Sequence, residues 1–444
     1  MKNKLQILTI FLTFCASIIT AIVFHEGTFL WILTLFAVVG FIYKETARNV
    51  YLMAFCVNII FGCILIWVFQ SETATFFDVG GDDTKYFNYF NLAANGNDVY
   101  LRVRYGNFIF LGSSFIKFLG FLGIEDVSPL LLYPLNWLYG ANACALTYIL
   151  AMQLGLSKKG AYISATFLSI YPFFVLHETK LLREMLVTLL TVLFFVTYFS
   201  KIRLPVKLAI YLAIFLVLSK LRGEFILYLV SFFGIDFLFD LYAKKQKMMV
   251  FVILLVGGVC LFVGYSTFLS LIGRDSQEIN RYSEAYAELR SSTNTDASLG
   301  ASLKNAGGLF TIVTWFYIWL SPFPPPVFLK FNLIYVLISV GAILWYKSYL
   351  KFPFILYSYL GQGELNSPMR KNVVKFLLFI GFCSGIIAMT TADSRHLISF
   401  YPLIFIIFYK VDSEYPESKS KLLNNVTWIL AILMFVMYGV LKLS

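Results

Sequence analysis

The stretch FFDVGGDDTKYFNYFNLAANGNDVYLRVRY, residues 76–105, is the first long polar interruption in a chain that is otherwise mostly apolar. It holds a glycine pair (Gly80, Gly81), a carboxylate pair (Asp82, Asp83), an aromatic run (Tyr86, Phe87, Tyr89, Phe90) and two arginines (Arg102, Arg104). What surrounds it decides the fold. Of 444 residues, 59% are hydrophobic and 13% charged, whereas soluble domains carry roughly 25% charged residues. Several apolar runs reach the ~20 residues that a helix needs to cross a bilayer. The composition excludes an ordinary soluble protein. It predicts an all-α polytopic integral membrane protein, a single transmembrane domain over 1–444. Two long loops at one face, 70–127 and 272–326, are expected to carry short surface helices.

Membrane helices are predicted at 5–24, 28–43, 50–68, 128–150, 161–176, 185–199, 205–218, 225–241, 248–271, 327–346, 373–389, 397–409 and 422–441. That makes about thirteen spans. The net charge of +11 sits in short lysine clusters between these runs, which is the positive-inside pattern and not a nucleic-acid surface. With the N-terminus cytoplasmic, every inner turn is basic: Lys44 and Arg48, Lys158 and Lys159, Lys201 and Arg203, Lys244 and Lys245, Lys347 and Lys351, Lys410 and Lys419. That parity makes 108–123, which contains Lys117, a helix lying on the outer surface. It makes 309–320 an outer surface or re-entrant piece, and leaves 352–360 interfacial. The first run lacks a small-x-small cleavage site and reads as a retained span. The six cysteines lie in or beside apolar runs without a CxxC pair, so neither disulfides nor a zinc site is expected.

Arginine is distributed differently from lysine. Arg102, Arg104, Arg183, Arg222, Arg274, Arg281, Arg290 and Arg395 all fall on the outer side of this topology, where positive charge is disfavoured. Lysine serves topology as a point charge, whereas the planar guanidinium binds phosphate through two parallel hydrogen bonds. Phosphate or pyrophosphate recognition is therefore the expected reason. One aspartate of the pair can cap the helix that follows Gly80-Gly81; the other is left to act as a base or as a ligand of a divalent metal. Tyr86 lies one turn beyond Asp82 and can share its face. Tyr89 and Trp315 are further candidates for stacking on sugar rings. Glu178 and Arg183 mix acid and base at one outer turn, and Arg222 and Glu224 do so at the next. Snorkelling at the interface is the plain alternative for Lys180 and Arg183. The run after Asp393-Ser394-Arg395-His396 is short. To span, it must take Arg395 and His396 toward membrane depth, where charged groups usually face a cavity. His396 is a candidate proton carrier. Asp236, late in one span, has no explanation at this level.

These features together resemble bacterial surface-polysaccharide enzymes of the inner membrane, the Wzy-type repeat-unit polymerases and the wider GT-C-like polyprenyl-dependent glycosyltransferases. The resemblance rests on GGDDTKYF in the first outer loop, LLREMLV before a span, KLRGE at the next outer turn and SRHLISFYP before an aromatic-proline helix. It departs from the GT-C pattern in pairing Asp with Asp where Asp with Glu is common. The resemblance implies an undecaprenyl-linked oligosaccharide substrate, chemistry at the outer face, and a chain-length regulator protein as a further partner beside the bilayer.

The expected function is thus polymerisation of undecaprenyl-diphosphate-linked repeat units. Asp82 or Asp83, with His396, would be catalytic. Tyr86, Arg102, Arg104, Glu178, Arg183, Arg222, Arg274, Arg281 and Arg395 would bind substrate. The alternatives are a transferase adding a single sugar from a polyprenyl-phosphate donor and a flippase or other transporter. Both aspartates are expected to tolerate replacement by Asn without loss of folding. The topology predicts that cysteines placed at Asn95 and Ser292 label with an impermeant thiol reagent in intact cells, while one at Gln246 does not; labelling at Gln246 would overturn the orientation.

Overall fold

A computed structural model describes residues 2–77, 82–102, 105–244, 246, 248–249, 315–316, 318–321, 332–361, 368–390, 394–413 and 417–443. Among them every regular element is a helix. Among the described residues seven helices are long and apolar enough to cross a membrane, or eight if one bent pair counts as a single span. These apolar helices mark a membrane-embedded protein. The chain divides into two compact units: 1–221 with 324–363 and 398–444, and 222–323 with 364–397.

The first unit is built around α6 (Tyr133–Gln153), which is buried on nearly every side. It packs against α3 (Glu45–Thr73), α7 (Lys158–Ile170) and α9 (Glu184–Phe199). Gly140, Ala141, Ala143 and Ala145 thin its surface, and small residues let helices approach closely where apolar burial alone cannot drive association in lipid. One close approach is at Gly62 of α3, where a Cβ would lie 2.2 Å from the Trp137 ring. Around this centre lie α1 (Lys2–Val23) against α3, and α2 (Gly27–Val39). The loop after α3 carries α4 (Asp82–Ala94) and α5 (Gly106–Phe121), packed on each other.

Pro172 breaks what the periodicity reads as one span over 161–176. The chain bends by 62° between α7 and α8 (Pro172–Glu178). The cause is local: proline has no N–H for the ladder, and the residue before it is pushed out of the helical region. Tyr171 is accordingly extended, at φ −69° and ψ 116°. Its hydroxyl donates to the Gly341 carbonyl at 3.3 Å, which ties the break to a later helix.

After α10 (Leu204–Arg222) the chain enters the second unit with α11 (Glu224–Ala243). It returns to the first with α12 (Leu333–Gly361), which runs on through Pro353 and so takes in the 352–360 stretch. α13 (Pro368–Thr390) belongs to the second unit; α14 (Tyr401–Ser413) and α15 (Glu417–Leu443) belong to the first. A 3₁₀ segment, Ser394–Phe400, precedes α14. Its longer rise, about 2 Å per residue, lengthens the short 397–409 run. Arg395–Ser413 as a whole is long and apolar enough to cross.

Two lysines that lie among the helices are paired with carboxylates on neighbouring helices. In the second unit Lys375 of α13 pairs with Asp236 of α11, which accounts for the aspartate that the sequence leaves unexplained. In the first, buried Lys351 of α12 contacts Asp412 of α14 and donates to Asn424 Oδ1 of α15 at 3.1 Å. Such pairing is what a low-dielectric interior requires.

The α3–α6 contact generates a prediction. Gly62→Ala must displace the Trp137 indole and should cost about 1–3 kcal/mol, read as a clear drop in thermal midpoint of the purified protein in detergent. Gly120→Ala, where an added Cβ meets nothing within 4 Å, should leave the midpoint unchanged or slightly raised.

Candidate functional site

The site is built from α4, the start of α5 and the turn before α9, all in the first unit. Asp82 and Asp83 are the first two residues of α4. At a helix N-terminus their charge is favoured by the backbone dipole. Their environments differ: Asp82 is exposed, while Asp83 is only 1% exposed. The expectation that neither aspartate supports the core is therefore corrected for Asp83, because burying it makes its carboxyl part of the packing. Asp82 is the carboxylate within reach of a ligand.

Tyr86, three residues after Asp83, is buried. Its ring meets Tyr105 edge-on at 5.4 Å and Phe108 at 5.1 Å, so it serves the α4–α5 interface. Gly112 of α5 permits this contact, since a Cβ there would sit 2.6 Å from the Phe90 ring. Tyr89, Tyr100 and Tyr105 are half-exposed. Tyr89 stacks on Tyr100 at 4.6 Å and on Tyr105 at 6.1 Å.

Two cations lie over Tyr105. Lys85 Nζ is 5.2 Å from the ring centre and the Arg183 guanidinium carbon 5.7 Å. Cation–π attraction contributes about 0.5–1 kcal/mol at exposed sites. Burial works against the Lys85 charge, but a hydrogen bond with Tyr105, together with Tyr105, Tyr89 and Asp82 nearby, holds the ammonium above its usual range. Lys85 is thus firmly charged at neutral pH. Neither Lys85 nor Tyr105 is among the residues that the sequence singles out. The signal was present: Lys85 sits between the aspartate pair and the tyrosines, and Tyr105 closes the quoted stretch.

Arg183 is held by two separate devices. Asn136 of α6 donates from Nδ2 to the carbonyls of Lys180 and Leu182, the second at 2.8 Å. This pins the turn between α8 and α9. Arg183 Nη1 donates to the Leu221 carbonyl at 3.1 Å, one of the carbonyls that the end of α10 leaves without an intrahelical partner. Asn107, in the first turn of α5, donates to the Leu216 and Val217 carbonyls at 2.9 and 2.7 Å. The end of α10, the start of α5 and Arg183 thus form one hydrogen-bonded corner. Chemically, that corner presents two cations, a half-exposed aromatic set and the Asp82 carboxylate. An anion carrying a ring with polar and apolar faces matches that arrangement.

The remaining expected residues fall elsewhere. Glu178 ends α8 with no exposed surface. Arg222 and Glu224 belong to the second unit, where they approach at 3.6 Å and Arg222 lies 5.6 Å over the Phe225 ring. Arg395 and His396, half-buried in the 3₁₀ segment, also belong to the second unit. Trp315 donates from Nε1 to Ser384 Oγ at 2.6 Å, and Trp319 to the same oxygen at 3.1 Å, which engages the polar edge of Trp315 within the second unit. The Arg102 backbone ends the 3₁₀ turn Asp98–Arg102. Arg104, Arg274, Arg281, Arg290, Gly80, Gly81 and Asp393 lie outside the described residues. Among the described residues no group of three or more His, Cys, Asp or Glu could hold a metal ion.

No protein family, curated protein or solved structure compared with the chain matches it.

Proposed function

We propose that the protein is a membrane glycosyltransferase that polymerises undecaprenyl-diphosphate-linked oligosaccharide repeat units at the outer face of a bacterial inner membrane. The observation that carries this reading is the corner at Tyr105. It gathers Lys85 and Arg183 over one ring, beside exposed Asp82, in the loop that the charge parity places outside. The reading keeps the topology of about thirteen spans with a cytoplasmic N-terminus. The excess of arginine over lysine on the outer side supports a phosphate ligand.

In this mechanism Lys85 and Arg183 hold the diphosphate and stabilise the charge that develops as it leaves. Tyr89 and Tyr105 carry the adjoining sugar. A hydroxyl of the acceptor repeat unit attacks the anomeric carbon. The bond to the diphosphate oxygen breaks, and Asp82 accepts the hydroxyl proton. Arg222 and Arg395 are assigned to phosphate contacts by sequence pattern alone, and His396 to proton transfer on the same ground. A metal is not required by the groups named, and Asp82 is the residue that would bind one.

The test is polymer formed in nanodiscs from a lipid-linked repeat unit by purified variants. Arg183→Lys keeps the charge and loses the fork. The loss of a charged hydrogen bond, ~1.5–3 kcal/mol, should lower activity roughly ten- to a hundredfold. Asp82→Asn should abolish product while folding normally. Arg48→Lys, whose guanidinium lies 5.3 Å over the Phe41 ring away from this corner, is the control and should keep full activity. Arg183→Lys and Asp82→Asn both working as well as Arg48→Lys would contradict the assignment. A product longer by one sugar only, in the wild type, would replace polymerisation by single-sugar transfer.

A further inference from the structure

Glu178 has no exposed surface, and neither carboxylate oxygen has a hydrogen-bond partner. The space it fills is made for it by α6: a Cβ on Gly140 would lie 1.9 Å from Glu178 Oε1. Asn58 of α3 is its polar neighbour, and Asn58 has no exposed surface either. Asn58 Nδ2 is turned to the Trp137 carbonyl at 3.4 Å, and Asn58 Oδ1 is buried without a donor. Nδ2 is the atom of Asn58 that can donate to the carboxyl, and it is already turned to that carbonyl. The titratable group near Glu178 on α6 is the Cys144 thiol, also fully buried. Among the described residues no Lys or Arg pairs with Glu178. An unpaired carboxylate in such a place is costly, and protonation removes the charge.

We propose that Glu178 is a proton-binding site in the α3–α6–α8 core, its carboxyl held neutral beside Asn58. The ligand is a proton, and the site is complete without a metal or a basic partner. Release of that proton leaves a bare, fully buried carboxylate at the end of α8. The packing of α8 on α3 and α6 therefore depends on proton occupancy. So does the lead into the turn that carries Arg183.

Infrared difference spectroscopy of the full-length protein in nanodiscs at neutral pH tests this directly. The wild type should show a protonated-carboxyl C=O band that is missing in Glu178→Gln. The same band should move to higher frequency in Asn58→Ala, where the polar neighbour is lost. Glu178→Gln should also keep the wild-type thermal midpoint, because its amide is neutral as the acid is, whereas Glu178→Ala should lower it. If Glu178→Gln removes intensity only from the ionised carboxylate region, the residue is a carboxylate and the proposal fails. Should Glu178→Gln not fold, Asn58→Ala still decides: no acid band shifted by that change also overturns it.

Discussion

The hydrogen bonds from Asn136 to the carbonyls of Lys180 and Leu182 are the constraint on which the site depends. Pro172 breaks the α7–α8 rod, and the chain must then turn sharply into α9 among apolar neighbours. A turn in such a place leaves backbone carbonyls without water, and each unsatisfied group there costs several kcal/mol (~2–7). One amide from the central helix answers two of them. With the turn fixed, Arg183 has a set origin, and its guanidinium reaches both the Leu221 carbonyl and the Tyr105 ring. Asn136 itself is held because α6 is packed on nearly every side.

The same economy of polar groups explains the rest of the interior. Two lysines among the helices find a carboxylate on a neighbouring helix, Lys375 with Asp236 and Lys351 with Asp412. Glycines are placed where a large partner crosses: Gly62 under Trp137, Gly112 under Phe90, Gly140 beside Glu178. Each removes a side chain from one helix so that a functional or anchoring group on another can lie flat against it.

The membrane character and helical class were legible because apolar run length and lysine placement are one-dimensional signals. The Pro172 break was legible in principle, since the pre-proline restriction acts within two residues. What escaped the sequence is what depends on packing between distant segments. Glu178 stands in a run with His177, Lys180 and Arg183 and reads as surface. Its burial follows from Gly140 and Asn58 on other helices. Tyr86 reads as an exposed platform beside Asp82, yet the α4–α5 contact takes its ring into the interface and leaves Tyr89 and Tyr105 half-exposed. Asp82 and Asp83 read as equivalents, and one residue of helical rotation makes them different. The same rotation brings Lys85 over Tyr105, a pairing that no spacing rule announces.

The central claim is that the corner at Tyr105 recognises a lipid-borne phosphate. The most direct measurement is binding of undecaprenyl diphosphate and of undecaprenol to the purified protein, wild type against a Lys85→Gln, Arg183→Gln double variant. The account predicts that the wild type binds the diphosphate at least ~10-fold more tightly than the alcohol, and that the double variant loses the difference while still binding the alcohol. Equal affinity of the wild type for the two lipids would contradict it.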